Sequence, residues 1–358
     1  MPNRIARPRW GHFLPELAAL IVFVLLPFVL GQKTTVGGSI TDLFVFAILA
    51  LGLNVVVGYA GLLHLGIAAF FGIGAYIIGI LTVGAYPFQL SFSAAIVLAT
   101  FGAGLAGLIL AAPTIRLRGD YLALVTLGFG EVVNVALKNL DAITGGMKTL
   151  NPLPPPAMPA WLSSLLHRPI TFQNDYRPFY FLSLAILAGV VLLLRNLENS
   201  RLGRAWVAIR EDELAATCLG IPATRVKLAA FALSAALAGL AGGMFATKLA
   251  TTSDPHTYSF NLSITVLCCL ILGGLGSIRG VLLGVLLLQG YELILVPQLD
   301  QWAHALHWSL TLKQWNLLTF GVVLILMVRF RPEGLLPSRR IQHEYHAPAS
   351  NIEPKDLP

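Results

Sequence analysis

Residues 43–115 contain no Asp, Glu, Lys or Arg. A water-soluble domain cannot leave so long a stretch uncharged, because its surface would lack solvating groups. In a bilayer the same stretch divides into several spanning helices of about 20 residues each. The apolar runs are continuous, whereas a transmembrane barrel shows alternating segments of about ten residues. Across the whole chain 11% of residues are charged, against about 25% in ordinary globular proteins. The fold class is therefore all-α: a polytopic helical membrane protein of about ten transmembrane helices.

The apolar runs place predicted spans at 13–30, 40–57, 63–81, 88–112, 121–140, 179–194, 228–249, 262–275, 281–296 and 315–327. Several are short for a full crossing, which admits tilted or re-entrant segments. Arg4, Arg7 and Arg9 precede the first run with no small-residue cleavage site after it, so a retained first helix is expected. Walking the loops from an inside N-terminus puts Arg116, Arg118, the segment 195–227, Arg279, Arg329, Arg331, Arg339 and Arg340 on one side. That is the positive-inside distribution, with both termini cytoplasmic. The net charge of +7 then reflects orientation, and no nucleic-acid partner is expected. Cys218, Cys268 and Cys269 suggest neither a disulfide framework nor a metal site. Glycines recur at close spacing, as at Gly239 and Gly243 or Gly276, Gly280 and Gly284, which lets helix backbones approach in lipid.

Glu131 is an acid at the middle of a predicted span, with Asn134, Lys138 and Asp141 at +3, +7 and +10. This spacing is expected to form one helical face, turned either to a permeation path or to a neighbouring helix. Asn54 and His64 are polar residues of nearby spans, open to the same path or to an interhelical hydrogen bond. No Gly-Lys dipeptide exists, so the phosphate-binding loop of nucleotide hydrolases is absent; so are His-Glu-x-x-His and Gly-x-Ser-x-Gly. No enzymatic activity is expected of this chain.

The charged segment 195–227 interrupts the apolar pattern. Residues 204–219 read as a helix, with Gly220 as a left-handed terminator and Pro222 beyond it. Small residues (Ala205, Ala208, Ala215, Ala216) sit among Arg204, Arg210, Glu211, Asp212 and Glu213, a mixture suited to a helix lying in a partner's groove.

The stretch Arg210-Glu211-Asp212-Glu213-Leu214-Ala215-Ala216 with Gly220 resembles the cytoplasmic coupling segment, or EAA loop, of ABC importer permeases. Gly58-Tyr59-Ala60-Gly61-Leu62-Leu63-His64-Leu65-Gly66 and Arg116-Leu117-Arg118-Gly119-Asp120-Tyr121, with Gly130-Glu131 and Thr144-Gly145-Gly146, are similar to branched-chain amino acid permeases. Gly273-Gly274-Leu275-Gly276-Ser277 and Phe330-Arg331-Pro332-Glu333-Gly334-Leu335-Leu336 continue the match, which covers about residues 40–337 in family order. The chain thus resembles the LivM subunit family. Two positions depart from the pattern: Met147-Lys148-Thr149-Leu150 follows the double glycine, and His64 replaces a common Ser or Asp.

The resemblance implies a permease domain over 1–337, with a coupling segment at 195–227, a periplasmic Pro-rich loop at 141–178 and a cytoplasmic polar tail at 338–358. It implies an importer subunit for branched-chain amino acids or a related small polar or organic solute, in the bacterial cytoplasmic membrane. A second homologous permease, two ATP-binding subunits and a periplasmic solute-binding protein are the implied partners. ATP is used by those partner subunits, and no cofactor is bound by this chain. Coupling is assigned to Arg210, Glu211, Asp212, Glu213, Ala215, Ala216 and Gly220, and the path to Asn54, His64, Glu131 and Asn134. The competing class is a stand-alone secondary transporter or channel.

Overall fold

The computed structural model describes residues 14–29, 35–115, 119–156, 175–305, 316–331 and 333–336. The arginines at 116, 118, 339 and 340, the tail 338–358 and residues 157–174 of the Pro-rich loop lie outside them. In chain order the helices are α1 (Leu14–Val29), α2 (Thr35–Asn54), α3 (Ile67–Thr82), α4 (Phe92–Thr114), α5 (Asp120–Asn139), α6 (Arg177–Glu198), α7 (Arg201–Glu211) and α8 (Glu213–Cys218). They continue as α9 (Ala223–Leu249), α10 (Phe260–Gly273), α11 (Ile278–Gly290), α12 (Val296–Ala305) and α13 (Asn316–Phe330). α2 runs into a π-turn at Val55–Tyr59, and a second π-turn at Tyr291–Leu295 joins α11 to α12.

Every predicted span is a helix. Among the described residues, six helical stretches are long and apolar enough to cross a membrane; 67–82 and 260–273 are shorter apolar helices of 16 and 14 residues. Several boundaries shift by a few residues from the sequence expectation, as at the start of α4 (Phe92 rather than 88), and two differences have a visible cause. Residues 63–66 stay out of α3, because a Cβ on Gly66 would overlap the Thr126 carbonyl and the Leu65 N–H is held by Thr126 Oγ1 at 3.1 Å. Gly276 is not part of a glycine stripe on α11; it lies at φ +73° in the turn before it.

α2 is the hub, 89% buried along its apolar window and packed on α6, α9, α10 and α11. Phe44 of α2 lies between Phe23 of α1 and Tyr180 of α6, with ring centroids 5.5 and 5.0 Å away. The same corner solves a backbone problem. Pro27 has no N–H to offer the Phe23 carbonyl one helical turn back. The Tyr180 hydroxyl donates to that carbonyl at 2.7 Å instead, as an apolar medium requires.

α9 threads between α3 and α4 on small residues. A Cβ on Gly74 would overlap the backbone of Gly239, one on Gly242 the backbone of Phe71, and one on Gly107 the Cβ of Ala235. Dispersion contacts between backbones hold this seam, where lipid supplies no hydrophobic drive. α10 and α11 repeat the device, with Gly273 against Gly280 and Gly284 against the Cys269 carbonyl.

The charged segment packs at one end of the bundle, where the C-terminal end of α2 meets the α10–α11 turn. Leu335 and Leu336 N–H donate to the Leu272 and Gly273 carbonyls at 3.0 and 2.9 Å, bringing the end of α13 to the same side. At the opposite end, Lys248 of α9 pairs with Asp42 of α2 at 2.5 Å and donates to the Gly38 carbonyl at 2.7 Å. There the loops after α5 and α9 are stitched together. Leu150 N–H donates to Thr252 Oγ1 at 3.0 Å, Thr252 N–H to the Leu150 carbonyl at 3.1 Å, and Leu153 N–H to the Ala250 carbonyl at 2.8 Å.

Candidate coupling segment and polar positions

The predicted single helix over 204–219 is two helices. Asp212 breaks it: its backbone is extended (φ −155°, ψ 110°), and its carboxylate accepts from the N–H groups of Leu214 and Ala215 at 2.8 and 3.1 Å. An aspartate side chain that satisfies orphan donors favours starting a new helix over continuing the old one. Ser200 caps α7 in the same way, accepting from Gly203 N–H at 3.3 Å.

Gly220 ends α8 as the sequence reading expects. It sits at φ +85°, Ile221 N–H reaches the Ala216 carbonyl at 3.1 Å, and Gly220 N–H reaches that of Thr217 at 2.9 Å. This pair of reversed bonds needs a left-handed residue at that position.

α7 faces inward. Trp206 is fully buried, donates its Nε1–H to the Val226 carbonyl at 2.7 Å, and stacks on Tyr59 at 6.5 Å between ring centroids. Arg210 Nη1 donates to the Gly58 carbonyl at 2.7 Å. Glu213 of α8 pairs with the buried Lys227 of α9 at 2.6 Å. What remains open is one face of α8, with Leu214 at 65% and Leu219 at 83% exposure beside exposed Glu211 and Ala215. Ala216 corrects an expectation: it is buried within this chain at 3%, so of the two alanines only Ala215 is presented outward.

The four residues assigned to a path do not converge. Asn54 is fully buried, and its Oδ1 accepts from Gly276 N–H at 2.9 Å. His64 is buried between Phe70 and Phe231, with ring centroids at 5.7 and 5.3 Å. Asn134 is buried and donates Nδ2–H to the Pro255 carbonyl at 2.7 Å. Glu131 alone of the four is exposed.

The expected common face of Glu131, Asn134, Lys138 and Asp141 is therefore split. Three residues turn a helix by about 300°, so Asn134 faces the bundle while Glu131 faces out. Lys138 Nζ lies 3.3 Å from His256 Nδ1, and Asp141 belongs to a separate helical turn, Asp141–Thr144. Glu131 sits instead in an open stripe with Tyr121, Leu124, Gly128, Val132 and Val135. Sequence reading missed the Asp42–Lys248 pair and the Arg210 contact. The first was detectable as an acid and a base at the rims of two apolar runs; the second had no local signal.

A helical membrane bundle with a charged, capped helix docked on one end is consistent with a polytopic membrane permease. Comparison with known proteins agrees. The family described as "Branched-chain amino acid transport system / permease component" matches residues 35–328, and the chain belongs to that family. It is 38% identical over 340 residues to the high-affinity branched-chain amino acid transport system permease protein LivM of Salmonella typhimurium, covering 91% of this chain and 75% of the relative. The LivM protein of Escherichia coli is 38% identical over 339 residues, with the same coverage. The autoinducer 2 import system permease protein LsrC of Yersinia pseudotuberculosis is 28% identical over 173 residues, 47% of this chain and 44% of that protein. No solved structure matches.

Proposed function

We propose that this chain is a permease subunit of an ATP-driven importer that moves branched-chain amino acids, or a related small polar or organic solute, across the bacterial cytoplasmic membrane. The observation that carries the reading is the open face of α8: a short helix capped at both ends, with Leu214, Ala215 and Leu219 turned away from their own bundle. Exposed leucines on a charged, non-spanning segment fit a protein groove better than lipid or water. Two ATP-binding subunits occupy that side, and their closure on ATP pushes α8. Among the described residues, Arg195, Arg279 and Arg329 lie toward that end, a distribution that supports a cytoplasmic side for the segment. A periplasmic solute-binding protein delivers solute to the opposite end.

Glu131 supports a second permease subunit. A carboxylate in mid-span on an exposed stripe is costly against lipid, so that stripe faces a protein partner or the water-filled path between two permeases. The stand-alone transporter is disfavoured by the scatter of Asn54, His64, Glu131 and Asn134, which form no relay.

Ala215→Arg tests the coupling face. The variant is expected to insert in the membrane normally, lose co-purifying ATPase subunits and lose ATP-driven uptake. Full retention of both would remove α8 as the docking element.

A further inference from the structure

We propose that Arg210 is a positioning residue that carries displacement of the coupling segment into the bundle, by holding the π-turn of α2 against the α10–α11 turn. The inference rests on the coupling reading of α7 and α8 given above.

The π-turn supplies the acceptor. In a continuing α-helix the Leu62 N–H would bond the Gly58 carbonyl, but here it bonds that of Val56 at 3.0 Å. The freed Gly58 oxygen takes Arg210 Nη1–H at 2.7 Å. Extra-wide helical turns of this kind are rare and are found frequently at functional sites.

The packing leaves little slack around that bond. A Cβ on Gly61 would lie 2.6 Å from Arg210 Cγ. A Cβ on Gly58 would overlap Asn54 Oδ1 and approach Gly276 N to 2.6 Å. Asn54 Oδ1 in turn accepts from Gly276 N–H at 2.9 Å, one helical turn before Gly58. Three chain segments thus meet at one point: the last turn of α7, the stretch from Asn54 through the π-turn to Gly61, and the α10–α11 turn. Arg210 stands two residues before the break at Asp212, where α8 begins. A push on α8 therefore reaches the Gly58 carbonyl through the Arg210 side chain and the α10–α11 turn through Asn54, while Trp206 meets the same π-turn at Tyr59 by ring stacking alone. The connection to α9 is separate, through Trp206 with Val226 and Glu213 with Lys227.

The test uses the assembled importer, purified with its ATPase subunits, and one spin label at a time. The first label sits on the native, exposed Cys218 of α8; Cys268 and Cys269 are buried. The second sits on Leu63→Cys, with Cys218→Ser, at an exposed position just past the π-turn. In the otherwise native protein, trapping with ATP and vanadate is expected to change both spectra. In Arg210→Ala the change at position 218 should persist, while that at position 63 falls at least fivefold. Arg210→Lys keeps a donor and should restore part of it, and this second variant serves if the alanine form fails to assemble.

A purely structural Arg210 would alter both labels together, or would shift the nucleotide-free spectra. That outcome, or ATP-driven changes at both positions in Arg210→Ala, overturns the proposal. Loss of ATPase subunits from Arg210→Ala would make Arg210 a docking contact and overturn it as well. If the native protein holds no ATPase subunits and Cys218 does not respond to ATP, the importer reading itself has failed, and this is seen without any Arg210 variant.

Discussion

α2 and α5 are both apolar enough to cross a membrane, yet their apolar windows are 89% and 28% buried. α2 meets protein on nearly all sides, and it binds to the rest of this chain through polar contacts as well, Asn54 Oδ1 accepting from Gly276 N–H and Asp42 pairing with Lys248. α5 lends one face to the bundle through Leu122, Thr126, Asn134 and Leu137, and leaves the other bare, with a carboxylate in it. Hydropathy does not separate the two roles. A charge on an open face does, because lipid alone is a poor neighbour for Glu131. α2 organises the subunit, and α5 is where the proposed second permease would pack.

The strongest way to break this contrast is a truncation on each helix. Ile48→Ala, at a fully buried α2 position, should cost about 2–5 kcal/mol. Val132→Ala on the open face should cost less than about 0.5 kcal/mol in the isolated subunit. Denaturation of both variants in detergent checks this, and equal losses would mean that α5 is as enclosed as α2.

A smaller effect is expected at Glu131. Glu131→Leu should leave subunit yield unchanged and lower uptake by the assembled importer several-fold. Glu131→Gln, which keeps shape and hydrogen bonding, should be milder. Native uptake by the leucine variant would make the stripe ordinary lipid-facing surface.

The finest probe is Gly128→Ala. No atom lies within 4 Å of a Cβ at that position, so the isolated subunit should gain up to about 1 kcal/mol from helix propensity. If a partner helix packs there, the same methyl should weaken recovery of the second permease during co-purification. A gain in stability with undiminished recovery would move the interface away from α5.

The spans were legible because a run without charges has few places to go other than a bilayer. Gly220 was legible because a glycine two residues before a proline is a local stop signal. The break at Asp212 also had a local signal, an aspartate followed by Glu213 at a potential helix start. Strong helix formers on both sides concealed it. The split face of α5 was misread because spacings of three and seven were treated as equivalent, although the first falls about 60° short of a full turn. The meeting of Asn54, Gly58, Arg210 and Gly276 was not legible at all. It depends on three distant segments arriving together, and no single window of sequence records that.

The glycine seam has a consequence for how the protein is made. α3 and α4 carry faces shaped to receive α9, but α9 lies more than a hundred residues further along the chain. At synthesis rates of about 5–20 residues per second, on the order of ten seconds separate insertion of Gly74 from the arrival of Gly239. For that interval two bare, small-residue faces wait in the membrane with no helix of this chain between them. The central contact of the mature bundle thus forms only in the second half of synthesis, and a ribosome that stalls before residue 223 leaves a fragment whose exposed seam is open to the wrong helix.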